Sequence, residues 1–249
     1  MSVISLLKQS LFSRQLGAAL PPKGLSQLHP KVSTAFPADP AILTGQKKVL
    51  NVGGNSKAIA IPEYYEGWIH HLLDIDPTGQ PDIVCDARAL VGLSSTQYDS
   101  VYCSHNLEHY YSHDVIKVLT GFHHILKDDG FVDIRVPDMQ AVIKHMVAND
   151  MDIDDVLYEL KGGEPIRIKD VMYGWGREIE ESGEDFFGHK TGFSEKSLTS
   201  VLTKCGFSNL YVKLAFFEIQ VLGFKQPPSQ ALLEKLNLPS PEAAATAEK

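Results

Sequence analysis

Between Lys47 and Asp138 short apolar runs alternate with stretches of helical periodicity, and the runs stop on residues that favour turns. "KKVLNVGG", "WIHHLLDID", "DIVCDA", "YDSVYCS" and "FVDIRVPD" each read as a strand. "SHDVIKVLTGFHHILKDDG" reads as a helix. Ser112 is its expected N-cap, its apolar face is Val115, Ile116, Leu119, Phe122, Ile125 and Leu126, and Gly130 is the expected stop. "SEKSLTSVLTKCGF" predicts a second capped helix, with Ser194 as N-cap, Leu198, Val201 and Leu202 inward, and Gly206 as the stop. "NLYVKLAFFEIQVLGFK" divides into two strands with a hairpin around Phe216 to Glu218. This alternation constrains the fold more than any other feature. It predicts an α/β fold: a doubly wound, mostly parallel sheet with a final antiparallel hairpin.

The 249 residues suit one large domain with decorations. The expected division is a lead-in over 1–40, a main domain over 41–225 with an acidic insertion at 150–192, and an unstructured tail over 226–249. Residues 150–185 carry twelve acids against Lys161, Arg167, Lys169 and Arg177, within a chain of net charge -8. Such a segment repels a phosphate backbone, so nucleic acid is not an expected partner. A solvated acidic surface loop would have the same composition. No apolar run is long enough to span a bilayer. Cys85, Cys103 and Cys205 lie in apolar segments without metal-ligand spacing, which predicts free thiols and a cytoplasmic setting. The opening "SVISLLKQSLFSRQLG" places Val3, Ile4, Leu7 and Leu11 at helical spacing. It reads as a short docking helix or, with its serines and lack of acids, as a transit segment.

In sheets of this kind ligands bind beyond the carboxyl ends of the strands. Gly53, Gly54 and Asn55 follow the first strand, and glycines there let backbone N–H groups approach a ligand. Asp74 and Ile75 follow the second. An acid about 20 residues past the glycine turn is placed to accept two ribose hydroxyls, and Asp74 is a better fit than Asp76 because it falls at the strand end. Asp86 and Ala87 follow the third, where an acceptor could meet an exocyclic amine or simply cap a turn. The glycine pattern "GGNSKA" lacks the full G-x-G-x-x-G, which disfavours a dinucleotide.

The fourth strand opens into "SHNLEHYYSHD", with His105, His109 and His113 four residues apart. On one helix they would stack three imidazoles on a face, as a metal site requires. Here the strand end precedes them and a new helix starts at Ser112, so that face breaks up and no metal centre is expected. The alternative is a loop in which Ser104, His105 and Asn106 border a ligand. Leu107 then packs inward, while Glu108 and His109 face the reaction side or anchor the next helix. His189, in "FFGHKTGF", would line the pocket or hydrogen-bond a loop.

The ordered series "VLNVGGNSKA", "LLDIDP", "IVCDARAL", "YDSVYCSHNLEH" and "HHILKDDGFVDIRVPD" resembles the motifs of Rossmann-like S-adenosylmethionine (SAM)-dependent methyltransferases. The resemblance runs from about Lys47 to Asp138 and returns at Gly188 to Phe207. It is nearest to a predicted bacterial-type branch associated with surface glycans. It implies SAM as cofactor, held by Gly53, Gly54, Asn55, Asp74, Ile75, Asp86, Ala87, Ser104, His105 and Asn106. It implies methyl transfer to an oxygen or nitrogen of a small-molecule or glycan acceptor. His109 would be the general base, with Glu108 beside it, and the acidic insertion would face the acceptor. A non-catalytic protein on the same fold, or a nicotinamide-dependent oxidoreductase, would keep the sheet and change the chemistry.

Overall fold

A computed structural model describes residues 45–160 and 162–240. The expected N-terminal helix lies outside the described residues. Seven strands form one sheet: β1 (Lys48–Val52), β2 (Ile69–Asp74), β3 (Ile83–Val84), β4 (Tyr98–Ser104), β5 (Leu126–Pro137), β8 (Asn209–Ala215) and β9 (Glu218–Phe224). Their spatial order is β3-β2-β1-β4-β5-β9-β8. β1 to β5 run parallel, while β9 is antiparallel to β5 and β8 to β9. The chain order reverses between β1 and β4, and the crevice beyond their carboxyl ends is where such a sheet holds a ligand.

Alternation along the strands sends side chains to two cores. Leu50, Val52, Val101, Cys103, Val132 and Ile134 join one core, packed under α1 (Ser112–Ile125) and α5 (Glu195–Lys204). Val49, Tyr102, Phe131, Leu222 and Phe224 point the other way. That face is covered by the 3₁₀ turn Glu63–Tyr65 and by α6 (Gln230–Leu236). The tail expected to be unstructured from 226 therefore carries a helix. Ser229 caps it through the Leu232 N–H, and Leu232, Leu233 and Leu236 are buried, each contributing about 1.5–3 kcal/mol.

The helix α1 differs from expectation at both ends. Tyr111 occupies the N-cap without a side-chain bond, and the Ser112 hydroxyl meets Thr191 Oγ1 at 3.0 Å instead. The chain passes straight from Ile125 into β5, so Gly130 lies within a strand and stops no helix. Leu126 is fully buried and pairs with Tyr98 ahead of a register shift. Ile116, expected inward, is 49% exposed. The capping of α5 by Ser194 and its end at Gly206, φ +96°, agree with the sequence. So does the hairpin, which turns at Phe216 and Phe217 between β8 and β9.

The acidic segment folds as a small body of its own. The antiparallel pair β6 (Val156–Glu159) and β7 (Pro165–Arg167) leads into α3 (Ile168–Tyr173) and α4 (Gly176–Ser182). Leu157, Leu160, Ile166, Ile168 and Val171 bury against Val142 of α2 (Met139–Ala148). Phe217 of the hairpin turn packs on the same cluster. These contacts set the segment over the carboxyl ends of β4 and β5. Among the described residues no helix is long and apolar enough to cross a membrane.

Candidate functional site

The glycine turn after β1 is shaped by its neighbours. A Cβ on Gly53 would lie 2.1 Å from Asn106 Nδ2, and one on Gly54 would lie 2.2 Å from Asn51 Nδ2. Gly53 also sits at φ +71°, in the left-handed region that disfavours a side chain. Two asparagine side chains thus occupy the space beside the turn, a tighter reason for glycine than ligand approach alone. Asn55, at φ +58°, gives its N–H to Asp74 Oδ2 at 2.9 Å. Asp74 Oδ1 accepts from the Asp76 N–H at 3.0 Å. The end of β2 is thereby tied to the turn after β1. Burial raises the Asp74 carboxyl above the ordinary range, while these N–H donors pull the other way. Asp76 caps the 3₁₀ turn Pro77–Gly79 through the Thr78 N–H.

At the third strand end the outcome is mixed. Asp86 caps the 3₁₀ turn Ala87–Gly92 through the Arg88 N–H and also takes the Arg88 guanidinium, Nη2 to Oδ2 at 2.6 Å. Its oxygens are therefore shared with a cation. Ala87, expected to touch a ligand, is buried in the core under α1. Asp74, Ile75, Asp86, Asn106 and Tyr110 line a compartment of about 200 Å³.

A larger cleft of about 370 Å³ adjoins it and includes Gly54, Ser104, Glu108 and His189. Gly53, Asn55, His105, His109 and Phe187 line both. The outer wall comes from the acidic segment and the hairpin: Tyr158, Trp175, Phe216 and Phe217, with Arg135 and Lys213 as its cations.

The histidines after β4 separate, as the strand end predicts. Leu107–His109 is one 3₁₀ turn. His113 is exposed and stacks on Tyr111. His105, at φ +50°, lies between two buried carboxylates, Nε2 to Glu218 Oε2 at 3.0 Å and Nδ1 to Glu108 Oε1 at 3.5 Å. Burial by itself would lower its pKa; the two carboxylates outweigh burial and raise it. Burial by itself would raise the Glu108 carboxyl; the neighbouring imidazoles, His105 foremost, outweigh burial and lower it.

His109 turns the other way. Its Nδ1 meets the Gly188 carbonyl at 3.2 Å, which can only accept, so Nδ1 carries the proton and Nε2 a lone pair. His189 repeats the arrangement, with Nδ1 on the Val171 carbonyl at 2.9 Å. The two rings meet edge to face, 4.8 Å between centroids. Burial lowers the His109 pKa against the pull of Glu108. His189 is carried there by backbone bonds: its N–H goes to Tyr173 O, and the N–H groups of Lys190 and Thr191 go to Glu108 O. Gly174 makes this approach possible, since a Cβ there would lie 2.4 Å from Phe187 O. One ligand atom from each of Glu108, His109 and His189 falls within 4.8 Å of the other two. The expectation of no metal-ligand group rested on spacing along the chain, and the third member comes from 80 residues away in sequence.

Of the residues expected to form the site, all but Ala87 line one compartment or both. Sequence reasoning missed the polar layer beneath. Asp133 accepts from Tyr64 Oη, from Gln220 Nε2 at 3.0 Å and from Arg135 Nη2 at 3.4 Å. Glu218 completes the layer through His105. A signal was present in "FVDIRVPD": Asp133 and Arg135 alternate with Val and Ile, which places two charges on one face of a buried strand.

No protein-family model and no curated protein matches the sequence. Solved structures similar to the chain include a SAM-dependent methyltransferase from Archaeoglobus fulgidus, at 15% identity over 72% of this chain and 86% of that one, TM-score 0.45. An O-methyltransferase family protein from Burkholderia thailandensis is similar at 10% identity over 72% of this chain and 51% of that one, TM-score 0.46. A third is the 1,6-didemethyltoxoflavin-N1-methyltransferase of the same organism with bound S-adenosylhomocysteine, at 16% identity, 72% and 71% coverage, and TM-score 0.40. At such identities and scores the chemistry rests on the site's own geometry.

Proposed function

We propose that the chain is a SAM-dependent methyltransferase, with SAM in the smaller compartment and an oxygen or nitrogen acceptor in the larger cleft. The observation that carries this is the meeting of the two compartments at Gly53, Asn55, His105 and His109. Asp74 stands in the smaller one as an acceptor for the ribose hydroxyls, already fixed by two N–H donors. The absence of G-x-G-x-x-G argues against a dinucleotide in the same place.

The reaction would be an in-line displacement. An acceptor lone pair attacks the methyl carbon, the carbon–sulfur bond breaks, and S-adenosylhomocysteine leaves as a neutral thioether. The protein's task is alignment and removal of the acceptor's proton. His109 supports this assignment: its tautomer is set by Gly188 O, its burial favours the neutral ring, and its Nε2 is the available base. The aromatic wall of Tyr158, Trp175 and Phe217 suits a planar or sugar-ring acceptor. Titration calorimetry of the full chain with S-adenosylhomocysteine and with NAD tests the cofactor. Micromolar binding of the first and none of the second is expected, and the reverse order would end the proposal. Transfer of labelled methyl from SAM to small hydroxylated, amine or sugar acceptors separates a catalyst from a non-catalytic binder.

A further inference from the structure

The geometry points to a divalent-metal site formed by Glu108, His109 and His189, with open coordination positions facing the larger cleft. Three features make it a built site. The ligand atoms converge to within 4.8 Å of one another. Each imidazole donates its Nδ1–H to a backbone carbonyl, which leaves Nε2 of both rings as the nitrogen with a free lone pair. This outer shell of carbonyl partners fixes tautomer and ring orientation as it does around histidine-bound metals. Independently, Glu108 is 1% exposed, and neither of its carboxylate oxygens accepts a hydrogen bond. Its ion-pair partner is His105, whose Nδ1 lies 3.5 Å from Oε1. His105 is shared with Glu218, so two buried carboxylates divide a single imidazolium and a second cation would balance them.

Two imidazoles and one carboxylate suit zinc, cobalt, iron or manganese in the divalent state, with the remaining positions left for oxygen ligands. The donors all border the cleft, so an acceptor hydroxyl could occupy one of those positions. That last point rests on the methyl-transfer proposal; the metal site itself does not. In the metal-loaded protein His109 is a ligand, and a bound hydroxyl loses its proton more readily to solvent because the cation lowers its pKa. In the metal-free protein His109 keeps its role as base.

The test uses the full chain, stripped with chelator, and Co²⁺ as the probe. One equivalent is expected to bind and to produce visible d–d absorption. Its proton spectrum should contain two hyperfine-shifted exchangeable imidazole N–H signals, one from each carbonyl-bonded ring. His189→Ala should weaken Co²⁺ binding roughly 100-fold or more, beyond the 10–100-fold cost of losing an outer partner. His113→Ala, at an exposed histidine in the first turn of α1, should bind as the parent does. Absence of stoichiometric binding, or unchanged affinity in a folded His189→Ala, overturns the site. If that variant does not fold, the parent's spectrum decides, and the lack of two shifted imidazole N–H signals overturns it equally. S-adenosylhomocysteine titration on the stripped protein is scored separately, so a failed methyl-transfer proposal and a failed metal site give different results.

Discussion

Asp74→Ala tests the site at its most constrained point. Asp74 accepts backbone N–H groups, among them those of Asn55 at 2.9 Å and Asp76 at 3.0 Å, and lines the smaller compartment. Two charge-assisted bonds to ribose hydroxyls are worth about 1.5–3 kcal/mol each before compensation, and water replaces part of that in the variant. A net loss of about 2–3 kcal/mol follows, or roughly 30- to 150-fold in affinity. The unpaired N–H groups are partly exposed, so the fold should lose only about 1–2 kcal/mol and survive. Calorimetric titration with S-adenosylhomocysteine, beside urea denaturation, measures both. Asp76→Ala should leave affinity within a few fold, because that side chain caps a neighbouring turn. Affinity within threefold of the parent in Asp74→Ala, with only the stability change present, would show that Asp74 organises the loop and does not hold the ribose.

Three further outcomes are expected. Gly53→Ala must displace the Asn106 side chain and hold a left-handed φ, costing about 1–2 kcal/mol for the backbone alone; urea denaturation showing an unchanged midpoint would refute the packing argument. His105→Ala leaves Glu108 and Glu218 buried without their shared cation, so a loss of about 3–5 kcal/mol is expected, and a change below 1 kcal/mol in the same assay would count against the ion-pair account. Because burial raises the Asp74 carboxyl, its acceptor capacity is lost from a higher pH than an ordinary aspartate's. S-adenosylhomocysteine affinity should fall with it as pH drops, and Asp74→Asn should flatten the profile; parallel profiles in the two proteins would contradict the assignment.

The parts of the fold legible in the sequence are those set by local patterning. "YDSVYCS" matches β4 to the residue because the β-favouring run Val101, Tyr102 and Cys103 leads to Ser104, which ends it. The hairpin and the capping of α5 were equally local. The start of β5 was not, because "LKDDG" carries a helix-stop glycine while Leu126 is recruited by pairing with Tyr98, a tertiary effect. The site divides in the same way. Asp74, Asn106 and His109 sit at strand ends that periodicity locates. Glu218 lies 113 residues from its partner His105, and Gly188 lies 79 from His109, distances over which no spacing pattern operates.

The two compartments draw on different stretches of chain. The smaller is built mainly from residues between Gly53 and Asp114, closed by Phe186, Phe187 and Lys190, whereas the aromatic wall of the larger comes from the acidic segment and the hairpin turn. Substitutions at Tyr158, Trp175 or Phe217 therefore alter the room offered to one reactant and leave the berth of the other intact. On the methyl-transfer proposal, the acceptor side could diverge while the donor side is inherited unaltered. The acidic segment is not confined to one side: Phe186, Phe187 and Lys190 close the smaller compartment, and His189 borders the larger beside His109, so change in that segment is checked where the two compartments meet.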